Sequence, residues 1–485
     1  MSWHFYGRTT ELDQLKAVVE RKRWAFVKIS GRRRIGKTTL IEKALEHIGD
    51  RKVFYVQIPD SDAPGVLDAL HEHMDTFGLP HERPLTLVAF ARLIEELARE
   101  GYIVAVDEFQ YFHRKVLSAF TSHLQAVIDR LSSDANNVTG CLLVLGSIHT
   151  EMTALLNDKD APLFNRLTDE FALDHLDIAD VQQILREHNA DTPAELLFFW
   201  NLFEGVPKFY RDCFEQELFG RSREEVVRRL FLESSSPLKN EAENWFLHEL
   251  RGRYDHLLKY VAQHPGCSSG EIMAHLNRLE PNKYHQAGNY LKTLIEKYGM
   301  VEKKQPVFAK ATERNGRYYI ADNFLRTWLQ ALKISTASMR FRPQGNIMEE
   351  ILLKLDIAEG SGLEALAHRL YEERSRKALL GFALSRAIDG YWDKAGTELD
   401  LVAVNKDDRV IRFGTCKRSN TKLDKAHFDA YDQHIERFLA AHTNYREWTI
   451  ERTAITVEHD EASRTRCATA GYLAEDLVSL TNGLN

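Results

Sequence analysis

The chain has 485 residues and five cysteines, Cys141, Cys213, Cys267, Cys416 and Cys467, with no CxxC pair among them. Their odd number and wide spacing exclude a disulfide framework and the usual zinc signatures. No apolar run is long enough to span a bilayer. The first residues, MSWHFYGRTT, lack the basic start and apolar stretch of a secretory leader. Low-complexity tracts and repeats of fixed period are also missing. These absences lead to the expectation of a cytoplasmic protein with no membrane partner.

What is there suits a folded multidomain protein. Hydrophobic residues make up 44% and charged residues 28% of the chain, the balance of a packed globular protein. At about 150 residues per domain the length predicts three or so. Net charge is −7, but residues 236–345 hold 17 Lys and Arg against 10 Asp and Glu, a local excess of 7. A basic segment in an acidic chain points modestly to nucleic acid.

Residues 24–30, WAFVKIS, read as a buried strand that runs into GRRRIGKTT (31–39) and then the helical LIEKALEHIG, with Gly49 as its stop. Strand, glycine-rich loop and helix form the context in which GxxxxGK[ST] becomes a phosphate site. Gly31 and Gly36 let successive N–H groups turn inward, Lys37 reaches the β/γ oxygens, and the Thr38 hydroxyl binds Mg²⁺. The helix adds its positive dipole end. The expected nucleotide-binding residues are Gly31, Arg34, Ile35, Gly36, Lys37, Thr38 and Thr39. Arg32, Arg33 and Arg34 also read as a solvated charged loop. The second half of the site is YIVAVDEFQYF (102–112), a buried strand delivering Asp107 to its carboxyl end as the other Mg²⁺ ligand, with Glu108 placed to polarise water. VFYVQI (53–58) and CLLVLGS (141–147) are further strands. Ser147 either reports the γ-phosphate or simply ends its strand. Arg166 in PLFNR (162–166) either reaches a γ-phosphate, in cis or from a second subunit, or is a solvated loop arginine.

Residues 254–323 carry three helical patterns and two short strands. YDHLLKYVAQ is followed by a capping box, Ser268 with Glu271, opening EIMAHLNR. YHQAGNYLKTLIEKYG (284–299) is a third helix, and MVEKKQP with RYYIADN form a hairpin. This order predicts a winged helix-turn-helix, with His285, Gln286, Asn289 and Lys292 offered to a groove and Lys303 and Lys304 to phosphates, or else a rigid spacer.

Residues 362–376 form a helix, followed by TELDLVAVNKDDRVIRFGTCKRS (397–419), read as two strands around a turn. Acids and a lysine at such positions can hold one or two divalent ions that activate water, with the lysine steadying developing charge.

Taken together, FYGRTTELDQL (5–15), GRRRIGKTT, AVDEFQ (105–110), LGS (145–147), PLFNR and EGVPKFY (204–210) resemble the archaeal-type P-loop ATPases, relatives of the signal-transduction ATPases with numerous domains and of the AAA+ class. The resemblance implies ATP and Mg²⁺ as cofactors and a Gly-x-Pro element, here Gly205 and Pro207, that contacts nucleotide and couples its state to later modules. It also implies a winged helix and a C-terminal PD-(D/E)XK nuclease-like domain. That pattern lands on Glu364, Asp400 and Lys417 with Thr415 where a third acid belongs, so a second divalent metal would be weakly held. Glu398, on the same strand face as Asp400, can substitute, as can Asp429 or Asp432 from a later helix.

The expected fold is α/β: a P-loop parallel sheet (1–180), a helical lid-like region (181–245), a winged helix (246–335) and a restriction-endonuclease-like α/β domain (346–485). Three functions stay open: a nucleotide-driven switch acting on DNA, possible as a homo-oligomer; an ATP-dependent, metal-requiring DNA endonuclease; and a protein-binding signalling scaffold.

Overall fold

The computed structural model describes residues 3–46, 52–147, 149–242, 253–279, 287–310, 315–333 and 341–484. Two compact units divide the chain: Gly7–His175 with Val206–Lys208, and Met1–Tyr6 with Leu176–Gly205 and Phe209–Asn485. Gly49, His285 and Gln286 lie outside the described residues.

The first unit is a five-stranded sheet in which every pairing is parallel. Its strands are β1 (Ala25–Gly31), β2 (Val53–Gln57), β3 (Ile103–Asp107), β4 (Cys141–Gly146) and β5 (Asp169–Leu173), in the order β2-β3-β4-β1-β5. Strands β3 and β4 are buried along their whole length. Burial on both faces explains why they read as unbroken apolar runs rather than alternating ones. Six helices accompany them: α1 (Thr9–Glu20), α2 (Lys37–Leu45), α3 (Ala63–Thr76), α4 (Leu87–Arg99), α5 (Ala119–Ser133) and α6 (His149–Leu156). On α4, capped by Thr86 through the Ala89 N–H (3.1 Å), the residues Phe90, Leu93, Ile94 and Leu97 form one buried stripe. The stripe joins a core with Phe54, Phe112 and Phe120, the last two stacked at 4.0 Å between ring centroids.

In the second unit, α7 (Ile178–Glu187) precedes α8 (Pro193–Phe203), which starts with proline and a Thr192–Glu195 capping box and buries every residue from Leu196 to Phe203. Next come α9 (Pro207–Glu215), whose first two residues belong to the sheet unit, and α10 (Arg223–Val227). Helices α11 (Arg253–Gln263), α12 (Ser269–Leu279) and α13 (Ala287–Glu296) accompany a small antiparallel sheet. Its strands β6 (Cys267–Ser268), β7 (Val301–Lys304) and β8 (Arg317–Ile320) run in the order β6-β8-β7. The expected capping box is present: Ser268 N–H donates to Glu271 Oε2 (2.7 Å) and Glu271 N–H to Ser268 Oγ (3.3 Å).

After α14 (Asn323–Thr327) comes α15 (Gln344–Arg376), 33 residues long. The sequence pattern starts this helix only at 362, after Gly360 and at Gly362. The helix passes through both, and at Gly362 the reason is packing: a Cβ there would lie 2.5 Å from Asn201 Oδ1 of α8. A mixed sheet ends the chain, with β9 (Asp389–Trp392), β10 (Glu398–Asn405), β11 (Val410–Cys416), β12 (Thr449–Thr456) and β13 (Leu473–Asp476) in the order β13-β12-β11-β10-β9. Pairings β9–β10 and β10–β11 are antiparallel, and β11–β12 and β12–β13 are parallel. Helices α16 (Lys425–Ala441), α17 (Glu461–Thr469) and α18 (Leu477–Thr481) complete this part. No helix among the described residues is long and apolar enough to cross a membrane.

Candidate functional sites

The loop between β1 and α2 needs its two glycines for different reasons. A Cβ on Gly31 would sit 2.6 Å from the Leu173 carbonyl oxygen of β5, so space decides there. Gly36 has open space but a φ of 93°, which side chains avoid. Ile35 is fully buried beneath the loop. The first helical bond of α2 joins Leu40 N–H to Gly36 O (2.9 Å), so the N–H groups of Lys37, Thr38 and Thr39 have no helical acceptor. Lys37 is itself buried, and its Nζ donates to the carbonyls of Gly31 (3.0 Å) and Arg32 (3.1 Å). Burial lowers the lysine's affinity for its proton, while Asp107 and Glu108 pull it back up.

The order of the sheet sets β4 between β1 and β3, yet the loop and the end of β3 meet. Thr38 Oγ1 donates to Asp107 Oδ2 (3.1 Å), and the Tyr55 hydroxyl of β2 donates to the same oxygen (2.9 Å). The Glu108 N–H closes on Asp107 Oδ1 (2.7 Å). A hydroxyl and one carboxylate side by side fit Mg²⁺, which takes few protein ligands and fills the rest of its shell with water and phosphate. Burial, with Asp107 beside it, pushes the Tyr55 phenol far above its usual range.

Glu108 sits in the left-handed region with φ 54°. Its Oε2 accepts from Ser147 Oγ (3.3 Å) and from Gln110 Nε2. Gln110 also meets Ser147 twice, through Nε2 to Oγ (3.3 Å) and by accepting the Ser147 N–H at Oε1 (3.3 Å). Sequence reasoning named Glu108 and Ser147 but not the buried Gln110 that joins them, nor Tyr55. Only a polar residue two places beyond the acid pair hinted at the first, and nothing hinted at the second. Arg166, read either as a γ-phosphate contact or as a solvated loop arginine, pairs within the sheet unit. Its guanidinium forks onto Asp129 of α5 (2.7 and 3.1 Å), a planar match that occupies the group. Pro207 opens α9 within the Val206–Lys208 segment that belongs to the sheet unit.

At the other end of the chain, β10 and β9 slip register between Leu399 and Val402, a bulge that re-aims Asp400. Asp400 Oδ2 accepts from the Cys416 N–H (2.8 Å), Thr415 Oγ1 (3.2 Å) and Lys417 Nζ (3.4 Å). Thr415, wholly buried, also meets His427 Nε2 of α16 (3.0 Å). His368 Nε2 of α15 bonds the Asp400 carbonyl (2.8 Å), and burial holds this imidazole down at about 4, hence neutral. Glu364 of α15 is pushed up to about 8, first by burial and then by Asp400. Glu398 does not join them. Its carboxylate pairs with Arg317 of β8 (2.6 Å), so sharing a strand face with Asp400 was not enough. Asp432 is taken by the Tyr472 hydroxyl (2.7 Å) and Arg452 (3.1 Å). Among the described residues no group of three or more His, Cys, Asp or Glu could hold a metal.

The segment that follows the hairpin lysines packs on the C-terminal sheet. Past β7, Val307 lies in the core of the C-terminal sheet and its N–H donates to Gly390 O (2.9 Å) on the edge strand β9. Phe308 stacks on Tyr445 at 4.9 Å. Arg317, besides its pair with Glu398, lies over Trp392 at 4.6 Å, whose indole donates to Asn315 O (2.8 Å). Asn289 and Lys292 of α13 and Lys303 of β7 remain exposed.

Residues 5–209 match the family described as an ATPase domain predominantly from Archaea. An uncharacterised protein of Methanocaldococcus jannaschii is 24% identical over 442 residues, covering 88% of this chain and 91% of its own. Among solved structures, the Walker-type ATPase paby2304 of Pyrococcus abyssi is 20% identical, with TM-score 0.48, covering 67% of this chain and 96% of that one. The ORC2 protein of Aeropyrum pernix, in ADPNP and ADP complexes, is 15% identical, with TM-score 0.45, covering 73% and 95%. With the loop, acid pair and parallel sheet already described, the family match makes the N-terminal part an ATP-binding and hydrolysing domain, and the chain an ATPase.

Proposed function

We propose that this chain is a nucleotide-driven switch acting on DNA, in which the C-terminal sheet binds rather than cuts. Bound Mg²⁺ would supply charge neutralisation at the phosphates, held by the Thr38 hydroxyl and Asp107. The residues Gly31, Arg34, Ile35, Gly36, Lys37, Thr38 and Thr39 wrap the triphosphate, chiefly by backbone N–H groups and the Lys37 ammonium. Glu108 orients the attacking water and accepts its proton, while Gln110 and Ser147 fix where that carboxylate points. Pro207, at the start of α9, carries the nucleotide state onward.

The observation that carries the non-cutting reading is Thr415, neutral and wholly buried where a third acid belongs, with its hydroxyl on Asp400 Oδ2 (3.2 Å). The excess of 7 positive charges over residues 236–345 supports DNA as partner, with the exposed face of α13 as the contact. Supercoiled plasmid with Mg²⁺ or Mn²⁺ tests both parts. The expected result is salt-dependent retention without nicking in ATP, ADP or no nucleotide. Nicking that disappears in Asp400→Ala would replace the switch by an endonuclease, and retention indifferent to salt and nucleotide would leave a protein-binding scaffold.

A further inference from the structure

The Asp107 carboxylate is held by donors from three places in the first unit. Its Oδ1 accepts the Glu108 N–H (2.7 Å), while its Oδ2 accepts the hydroxyls of Thr38 (3.1 Å) and Tyr55 (2.9 Å). Thr38 lies in the first turn of α2, and Glu108 is the next residue of the chain. Tyr55 belongs to neither and stands on β2, at the edge of the sheet.

Register and alternation explain how an edge-strand residue reaches this acid. Strands β2 and β3 run parallel, with Tyr55 opposite Ala105 and Gln57 opposite Asp107. Phe54, Val56, Val104 and Val106 turn into the hydrophobic core. Alternation therefore puts Tyr55 and Asp107 together on the other face, diagonally across the pair. Such a diagonal is too wide for short side chains but within reach of an aromatic one. The end of β2 also holds the acid's main chain, because the Ile58 N–H donates to the Asp107 carbonyl (3.0 Å). The edge strand thus fastens Asp107 at both its backbone and its carboxylate, while supplying no residue of the phosphate loop.

That second bond bears on Thr38. A hydroxyl has one hydrogen to give and two lone pairs to offer. Thr38 gives its hydrogen to Asp107 Oδ2, which leaves its lone pairs for a cation. The arrangement lasts only while Oδ2 keeps its place, and the last torsion of an aspartate is intrinsically broad. The Tyr55 hydroxyl narrows it.

We propose that Tyr55 is a positioning residue for the magnesium site, an assignment that rests on the proposed hold of Thr38 and Asp107 on Mg²⁺. Its hydroxyl fixes the Asp107 carboxylate, which in turn keeps the Thr38 lone pairs turned toward the metal. Tyr55 acts through Asp107 and not on the nucleotide, so its loss should appear in metal affinity. Removing a group that holds a metal ligand by a hydrogen bond typically costs about 10- to 100-fold in that affinity.

The test is calorimetry of ATP binding to the full chain, in Mg²⁺ and again in EDTA. By linkage, the ratio of the two affinities equals the factor by which Mg²⁺ is held more tightly on bound than on free ATP. Tyr55→Phe keeps the ring and removes the hydroxyl. It should lower the ratio about tenfold and leave the affinity in EDTA within about twofold of wild type. In an Asp107→Ala background the same substitution should move the ratio by less than about twofold, because its path to the metal is gone. A ratio unmoved by Tyr55→Phe, an equal fall in EDTA, a full effect that persists without Asp107, or a variant that no longer melts cooperatively would each overturn the assignment. Equal affinities in Mg²⁺ and EDTA for the wild type would instead overturn the magnesium role of Thr38 and Asp107, and that of Tyr55 with it.

Discussion

The chain holds two sites made from the same kinds of residue, with different outcomes. At the N-terminal sheet Asp107 Oδ2 accepts from Thr38 (3.1 Å), and at the C-terminal sheet Asp400 Oδ2 accepts from Thr415 (3.2 Å). Each has a lysine next to it in sequence or space. In the first, Lys37 bonds loop carbonyls, α2 presents three N–H groups without helical acceptors, and Glu108 stands beside Asp107. In the second, Lys417 and the Cys416 N–H both fall on Asp400 itself, and the position of a further acid is a buried threonine. An acid, a hydroxyl and a lysine therefore do not define a metal site. Both acids are bonded, Asp107 by Thr38, Tyr55 and the Glu108 N–H, so the difference lies in what stands around them: three helix N–H groups without helical acceptors at the first site, and a buried threonine where an acid belongs at the second.

Breaking the N-terminal site should have the largest effect. Glu108→Gln is expected to reduce ATP turnover by about 10² to 10⁴ while nucleotide affinity stays, since only proton acceptance is removed. Steady-state phosphate release beside equilibrium nucleotide binding checks this, and equal loss in both would place Glu108 in binding instead.

The C-terminal site can be given the acid it lacks. Thr415→Asp sets a second carboxylate against Asp400 in a dry place and should destabilise the fold by about 3 kcal/mol. Millimolar Mn²⁺ should restore much of that loss, while the wild type's melting temperature should ignore the metal. A wild-type shift comparable to the variant's would show that the natural cluster already holds an ion.

A smaller effect is expected from Gln110→Ala, which frees Glu108 and Ser147 from their shared partner. Turnover should fall about tenfold, the cost of one buried hydrogen bond, with little change in affinity. Turnover equal to wild type would make Gln110 a packing residue.

The smallest effect concerns pH. The Asp180 carboxyl on α7 is pushed up to about 6, mainly by burial and also by Asp177 and Glu373. The folded chain thus holds this proton more tightly than the unfolded chain, whose ordinary value is 3.8. The stabilisation is complete at low pH and is lost as pH climbs from about 4 through 6. Asp180→Asn should flatten that decline and sit about 2 °C above wild type at pH 7. Parallel melting curves at pH 4 and pH 7 would contradict it.

How much was legible follows from where the bonds run. The P-loop lies in one continuous stretch, its spacing fixed by backbone geometry, so Gly31 to Thr39 could be named from sequence. Asp107 was legible because a fully buried strand leaves one acid at its end. Gln110 and Tyr55 were not, since their contacts depend on a strand order that brings β2, β3 and β4 side by side. The helix that the sequence begins at Gly362 runs from Gln344, and Gly362 sits inside it, packed tightly on Asn201. Glu398 misled because alternation gives a face but not a partner, and Arg317 lies 81 residues away. Val307 and Phe308, just beyond the hairpin lysines, pack against the C-terminal sheet, a contact set by the tertiary fold and not by local pattern.

The most direct test of the central claim is ATP binding and turnover with and without Mg²⁺, wild type against Lys37→Ala. Magnesium-dependent turnover that falls by about 10² or more in the variant, with an unchanged melting temperature, is the predicted result. Equal turnover in the two proteins, or none in either with or without the metal, would contradict it.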